Sequence, residues 1–152
     1  MNDERSIHAQ ELLTAVARVA AEVGLNSDFD ESKQLLVIPV DLAGDRKQVV
    51  YVRKTEDSNL DRDDIATFFS PCGVLSQSEL ENASFLVELL EDSARINFGS
   101  KAIIHDDAGR KLLILMCHQI VETMEKEEIS AIVHCLATSA DDFERRRGRD
   151  DY

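Results

Sequence analysis

SQSELENASFLVELLED, residues 76–92, is the stretch on which the fold turns. Ser76 and Glu79 stand at capping-box spacing, which predicts a helix beginning here. At 100° per residue, Glu81, Ser84, Glu88, Glu91 and Asp92 fall within one arc of roughly 100°. Leu80, Ala83, Phe85, Leu86, Val87, Leu89 and Leu90 fill most of the remainder, interrupted near the first turn by Glu79 and Asn82. A helix serving one core needs an apolar stripe of only about 100° or slightly more. This one is about twice as wide, so the helix is expected to pack on two surfaces, the second of them on another molecule. The plainer alternative is a helix sunk deep in its own core.

The elements on either side follow from periodicity. Residues 4–23 read as a helix with Leu12, Leu13, Val16, Val19, Ala20 and Val23 on one face, stopped by Gly24-Leu25. Residues 26–33 read as a loop. Leu35–Val40 and Gln48–Lys54 read as strands joined through the turn DLAGDR, hence a hairpin. Val49 and Tyr51 face one way, Val50 and Val52 the other. After an acidic loop, Glu56–Asp64, a third short strand spans Ile65–Phe69 and ends at Ser70-Pro71. Beyond the central helix, Ala94–Ile104 is partly strand-like, Asp106–Gly109 is a turn, and KLLILMC, Lys111–Cys117, is the strongest strand. Being apolar on both faces, it demands cover on both. The last helix, Glu125 to about Arg147, carries Ile129, Ile132, Val133, Leu136, Ala140 and Phe143 on one face. Its acidic start and basic end suit the helix dipole. Residues 148–152 read as a frayed tail.

The order is αβββαββα, and the short links make the sheet mostly antiparallel. The expectation is a single α+β domain with about five strands and three helices. The 152 residues suffice for one real core. The outer helices suit one side of the sheet, which leaves a surplus of apolar surface that predicts a homodimer, a captured peptide, or both.

The net charge of −13 and the pI near 4.6 lack the basic footprint of a nucleic-acid binder. No apolar run reaches membrane-spanning length, and the first ten residues have no signal-peptide core. Three cysteines, an odd number without pattern, suit a reducing cytoplasm. Cys117-His118 and His134-Cys135 invite a zinc reading, but strand neighbours point to opposite faces and His134 sits on the wet side of its helix. Cys117 reads as an inert core thiol, and Cys72, in the turn-like SPCGVL, as the more exposed one. No Gly-rich phosphate cradle or calcium loop is present.

Several of these stretches together resemble the type III secretion chaperone-like superfamily, which includes the Tir-chaperone (CesT) family and YbjN-type proteins. The resemblance runs from Ile65 to Arg147. It rests on the strand before Pro71-Cys72-Gly73-Val74-Leu75, the helix ending Leu89-Leu90, the Asp106-Asp107-Ala108-Gly109 hairpin, the strand Leu112–Leu115, and Ala140-Asp141-Asp142-Phe143. Secretion chaperones often carry Asn where Ser93 stands. The resemblance implies a homodimer with the central helix in its interface, no enzymatic activity and no cofactor. It also implies a partner protein bound through an unfolded or extended segment. On that basis Phe85, Leu86, Leu89 and Leu90 are expected at the dimer contact. Leu36, Ile38, Val50 and Val52 are expected at a partner groove, with ordinary core as the competing role. The alternative within the superfamily is a YbjN-type regulatory or stress-related protein unconnected with secretion.

Overall fold

The computed structural model describes residues 2–56 and 62–148. The expected acidic loop falls largely outside them, at 57–61, as does the tail from 149. Four helices and six strands follow in the order α1 (Asn2–Glu22), β1 (Asp28–Asp30), β2 (Leu35–Asp41), β3 (Lys47–Lys54), β4 (Ile65–Val74), α2 (Gln77–Leu80), α3 (Ala83–Ser93), β5 (Ser100–His105), β6 (Lys111–Ile120) and α4 (Lys126–Arg146). The strands form one sheet in the order β1-β2-β3-β4-β6-β5, with every neighbouring pair antiparallel. This is a single α+β domain.

Both long helices lie on one face of the sheet, because each carries one continuous apolar stripe. From α1, Leu12, Leu13, Val16 and Ala20 are buried. From α4 come Ile129, Ile132, Val133, Leu136, Ala140 and Phe143, the six positions expected from the period. Gly24 (φ 76°) ends α1: Leu25 N–H donates to the Ala20 carbonyl and Gly24 N–H to that of Ala21, a Schellman arrangement.

Four local readings change. The loop expected at 26–33 contains the three-residue edge strand β1, which pairs Phe29 with Leu36. The strand expected to stop at Pro71 continues to Val74. Pro71 lacks a ladder donor, and the register shifts between Pro71 and Gly73, so Cys72 is an extra residue in a bulge that absorbs the proline. Gly73 takes φ 107° there. The expected strand over 94–104 is confined to Ser100–His105. Finally, the single central helix is two. The Ser76 hydroxyl accepts from the Glu79 N–H, and the Glu79 carboxylate from the Ser76 N–H, as the capping box requires. That box starts only the single turn of α2. Asn82 then caps α3, its side-chain oxygen accepting from Phe85 N–H at 3.1 Å.

Candidate functional site

Because strand side chains alternate, the sheet has two faces with different fates. One bears Leu36, Ile38, Val50, Val52, Phe68, Leu113 and Leu115, all buried beneath α1 and α4 in the main core. The other carries a second apolar cluster, and among the described residues no helical residue belongs to it. Phe69, Leu112 and Ile114 form its centre, with Leu35, Tyr51, Val74, Ala102, Ile104 and Met116 around them.

Registers show how continuous this open face is. One rung crosses five strands as Val37, Tyr51, Phe69, Met116 and Ser100. A second runs Pro71, Ile114, Ala102, and a third Val74, Leu112, Ile104. Ile114, at the centre of the cluster, is fully buried. Tyr51 and Phe69 place their ring centroids 5.4 Å apart, tilted by 32°. The Arg53 guanidinium lies 5.4 Å above the Phe69 ring, where the ring's negative face attracts it. Toward the far end of β4 the face turns polar. Thr55 and Thr67 hydroxyls lie 2.8 Å apart, and Thr67 is 2.9 Å from His118 Nδ1. The arrangement is an apolar floor with a polar margin, about five strands wide, on a chain of net charge −13.

The two ends of the sheet are treated differently. At β1, Asp28 and Asp30 flank Phe29, and acids on an edge strand discourage pairing with stray chains. At β5, the Lys101 N–H donates to Ser93 Oγ at 2.9 Å, so the end of α3 covers part of that edge. Ile103, on the same strand, is exposed.

The four positions expected at a partner groove, Leu36, Ile38, Val50 and Val52, are at most 3% exposed and serve as core. The same two strands present Val37, Pro39, Val49 and Tyr51 outward instead. The alternation was readable, but periodicity does not say which face the helices take. The polar-tipped Tyr51 and the charged Arg53 on one side of β3 were the available hint. Phe69 and Met116, which complete the open face, went unrecognised.

The positions expected at a dimer contact divide. Leu89 is buried in the chain's own core, with Phe85 and Leu86 half-buried against it. Leu90 is 70% exposed and Val87, three residues earlier on the same side, 53%. Helix α3 therefore does have two apolar sides, one of them in solvent.

Two of the thiols, Cys72 and Cys117, are placed against reactivity. Cys72, expected to be exposed, is fully buried in the β4 bulge. Burial, with Glu144 nearby, pushes its pKa up to about 12. Partial burial also raises that of Cys117. Cys117 packs on the core side while His118 faces the other way, and the exposed His134 bonds its own helix at the Ser130 carbonyl. Among the described residues, no cluster of His, Cys, Asp and Glu is arranged to hold a metal ion, and no helix is long and apolar enough to cross a membrane.

No family model and no curated protein matches the chain. Among solved structures, it is similar to the Yersinia pestis type III secretion chaperone SycH, determined in complex with a stable fragment of YscM2. The identity is 15%, over 86% of this chain and 97% of that one, with a TM-score of 0.49.

Proposed function

We propose that this chain is a non-enzymatic chaperone or adaptor that receives an extended segment of another protein on the open face of its sheet. The observation that carries this reading is the apolar cluster centred on Phe69, Leu112 and Ile114, to which no described helical residue belongs. An apolar face of this breadth, rimmed by polar groups, marks an interaction site. An extended segment, with alternate side chains directed one way, suits the two-residue period of the rungs. The residues proposed to contact it are the partly exposed Val37, Tyr51, Val74, Ile104 and Met116, which surround the buried Phe69 and Ile114. The sequence resemblance read from residues 65–147 implies the same class of partner. Cys72, Cys117 and Cys135 are free, which fits work in a reducing cytoplasm.

The working form is proposed to be a homodimer. Val87 and Leu90 supply an exposed apolar pair on α3, and the chain's negative charge keeps such surfaces from indiscriminate association.

The test is a selection of 15-residue peptides from a displayed random library, followed by NMR mapping of the best binder. Chemical-shift changes should centre on residues 37, 51, 69, 114 and 116, and Met116→Asp should weaken binding at least tenfold. Perturbations confined to α1 or to the loops would sink the open-face assignment. Light scattering on the free chain should give twice its 17.0 kDa mass, and a monomer at micromolar concentration would remove the homodimer.

A further inference from the structure

Helices α2 and α3 are joined to the rest of the molecule in an unusual way. Among the described residues, α4 buries nine side chains and α1 four, yet α2 buries none and α3 only Leu89. Leu80, Phe85 and Leu86 add half-buried contacts. Two acids of the pair, Glu79 and Asp92, are held by basic side chains from the end of α4 and from β5.

At the near end, Arg147 holds Glu79 of α2 with Nη2 2.7 Å from both carboxylate oxygens. The same guanidinium donates to the carbonyls of Cys72 and Val74 at 3.3 and 3.4 Å, tying α4 to the β4 bulge just before α2. At the far end, Asp92 of α3 receives Lys101 Nζ at 3.4 Å and Arg146 at 3.5 Å on one oxygen. The Lys101 side chain is only 5% exposed, and its Nζ lies 4.8 Å from the Phe143 ring centroid. The returning chain is then fixed at Gly99 (φ 99°), where a Cβ would meet the Met116 carbonyl oxygen and Leu136.

We infer that residues 76–93 form a strap that opens as a unit while the sheet and α4 stay folded, held shut by a two-point ionic clasp from Arg146, Arg147 and Lys101. A segment with few buried apolar contacts and a cooperative helical structure is the kind that opens sub-globally. Arg147 and Lys101 are largely withdrawn from water and so are screened little by salt, while Arg146 is 62% exposed and adds the weaker contact, so the strap is closed at ordinary ionic strength. Opening pivots on the bulge at one end and Gly99 at the other. It uncovers Leu80, Phe85, Leu86 and Leu89, apolar surface on the helix-covered side of the sheet. The inference is independent of what occupies the opposite, open face.

Native-state hydrogen exchange across a low guanidinium series tests it, on the wild-type chain and on Leu90→Asp, so that protection by a second copy does not enter. Amides 87–93 should exchange at least tenfold faster than amides 132–140 of α4 and 113–115 of β6, with a smaller denaturant dependence. Arg147→Gln should speed amides 87–93 at least a further tenfold and leave α4 and β6 unchanged. Exchange of 87–93 on the same denaturant isotherm as α4 would overturn the strap. So would an Arg147→Gln chain in which all three regions accelerate together. If Arg147→Gln does not fold, the wild-type isotherm decides alone, and the milder Arg146→Gln should still speed 87–93 selectively.

Discussion

Leu89 and Leu90 are adjacent and chemically identical, yet they have opposite tasks. The 100° step between them turns one into the core and the other into water. Leu89→Ala should therefore destabilise the chain by about 2–5 kcal/mol, the usual cost of emptying a buried leucine site. Leu90→Asp should change stability by less than about 0.5 kcal/mol, as surface substitutions do. It should nonetheless lower the mass measured by light scattering if α3 joins two copies. An unchanged dimer in Leu90→Asp would exclude that helix face from the contact. Cys72 shows where residue-level reading fails. Pro71 and Gly73 beside it spell a turn, and a turn spells exposure. The bulge satisfies both residues inside a strand and carries the thiol inward.

At the level of elements, most of the chain was legible. The stripes of α1 and α4, the β2–β3 hairpin and the strand at 111–117 follow from periods of 3.6 and 2. Three elements did not. A three-residue strand such as β1 is too short to show a period. A bulge looks like a strand end. The central stretch looks like one helix because its apolar residues keep phase across the break at Glu81-Asn82. The clue was Asn82 itself, an ordinary N-cap residue three positions before the Phe85 amide it accepts from. Asn82→Ala should cost about 1 kcal/mol and, by thermal unfolding, lower the Tm by several degrees. No loss would mean that α3 is started by packing, not by its cap. The open face was legible only as a surplus. Strand patterning supplied two apolar faces, and the stripes of α1 and α4 supply cover for one.

The whole molecule is a strongly acidic chain with a second apolar cluster on the sheet face away from α1 and α4, and acid should act on it in two ways. Glu79 is partly buried, which alone would raise its pKa. The Ser76 amide and hydroxyl, with Arg147, outweigh this and hold it below the ordinary glutamate range. Asp106 is likewise held low, burial again opposing, through the Arg110 backbone and side chain. A carboxylate depressed in the folded state stabilises above its unfolded pKa, and the contribution disappears as pH falls through the folded value. Stability to urea should therefore be level from about pH 7 to 5 and fall progressively below about pH 4.5. Glu79→Gln should have a shallower decline than the wild type. A parallel decline would assign the acid sensitivity elsewhere. As the same carboxylates protonate, the charge that keeps the open face apart from its copies is neutralised, so aggregation should set in over the same interval.

The strand order has a consequence for how the chain is made. The central ladder pairs β4 with β6, yet two helices and the edge strand β5 intervene in sequence. On the ribosome, β1 to β4 emerge as a meander able to zip up locally, while β4 waits for a neighbour synthesised some forty residues later. Until then its outer edge is bare, with Phe68 and Phe69 on its two sides and an acceptor row open to any passing strand. For that interval the nascent protein is in the position here proposed for its partner, an unfinished chain in need of shelter.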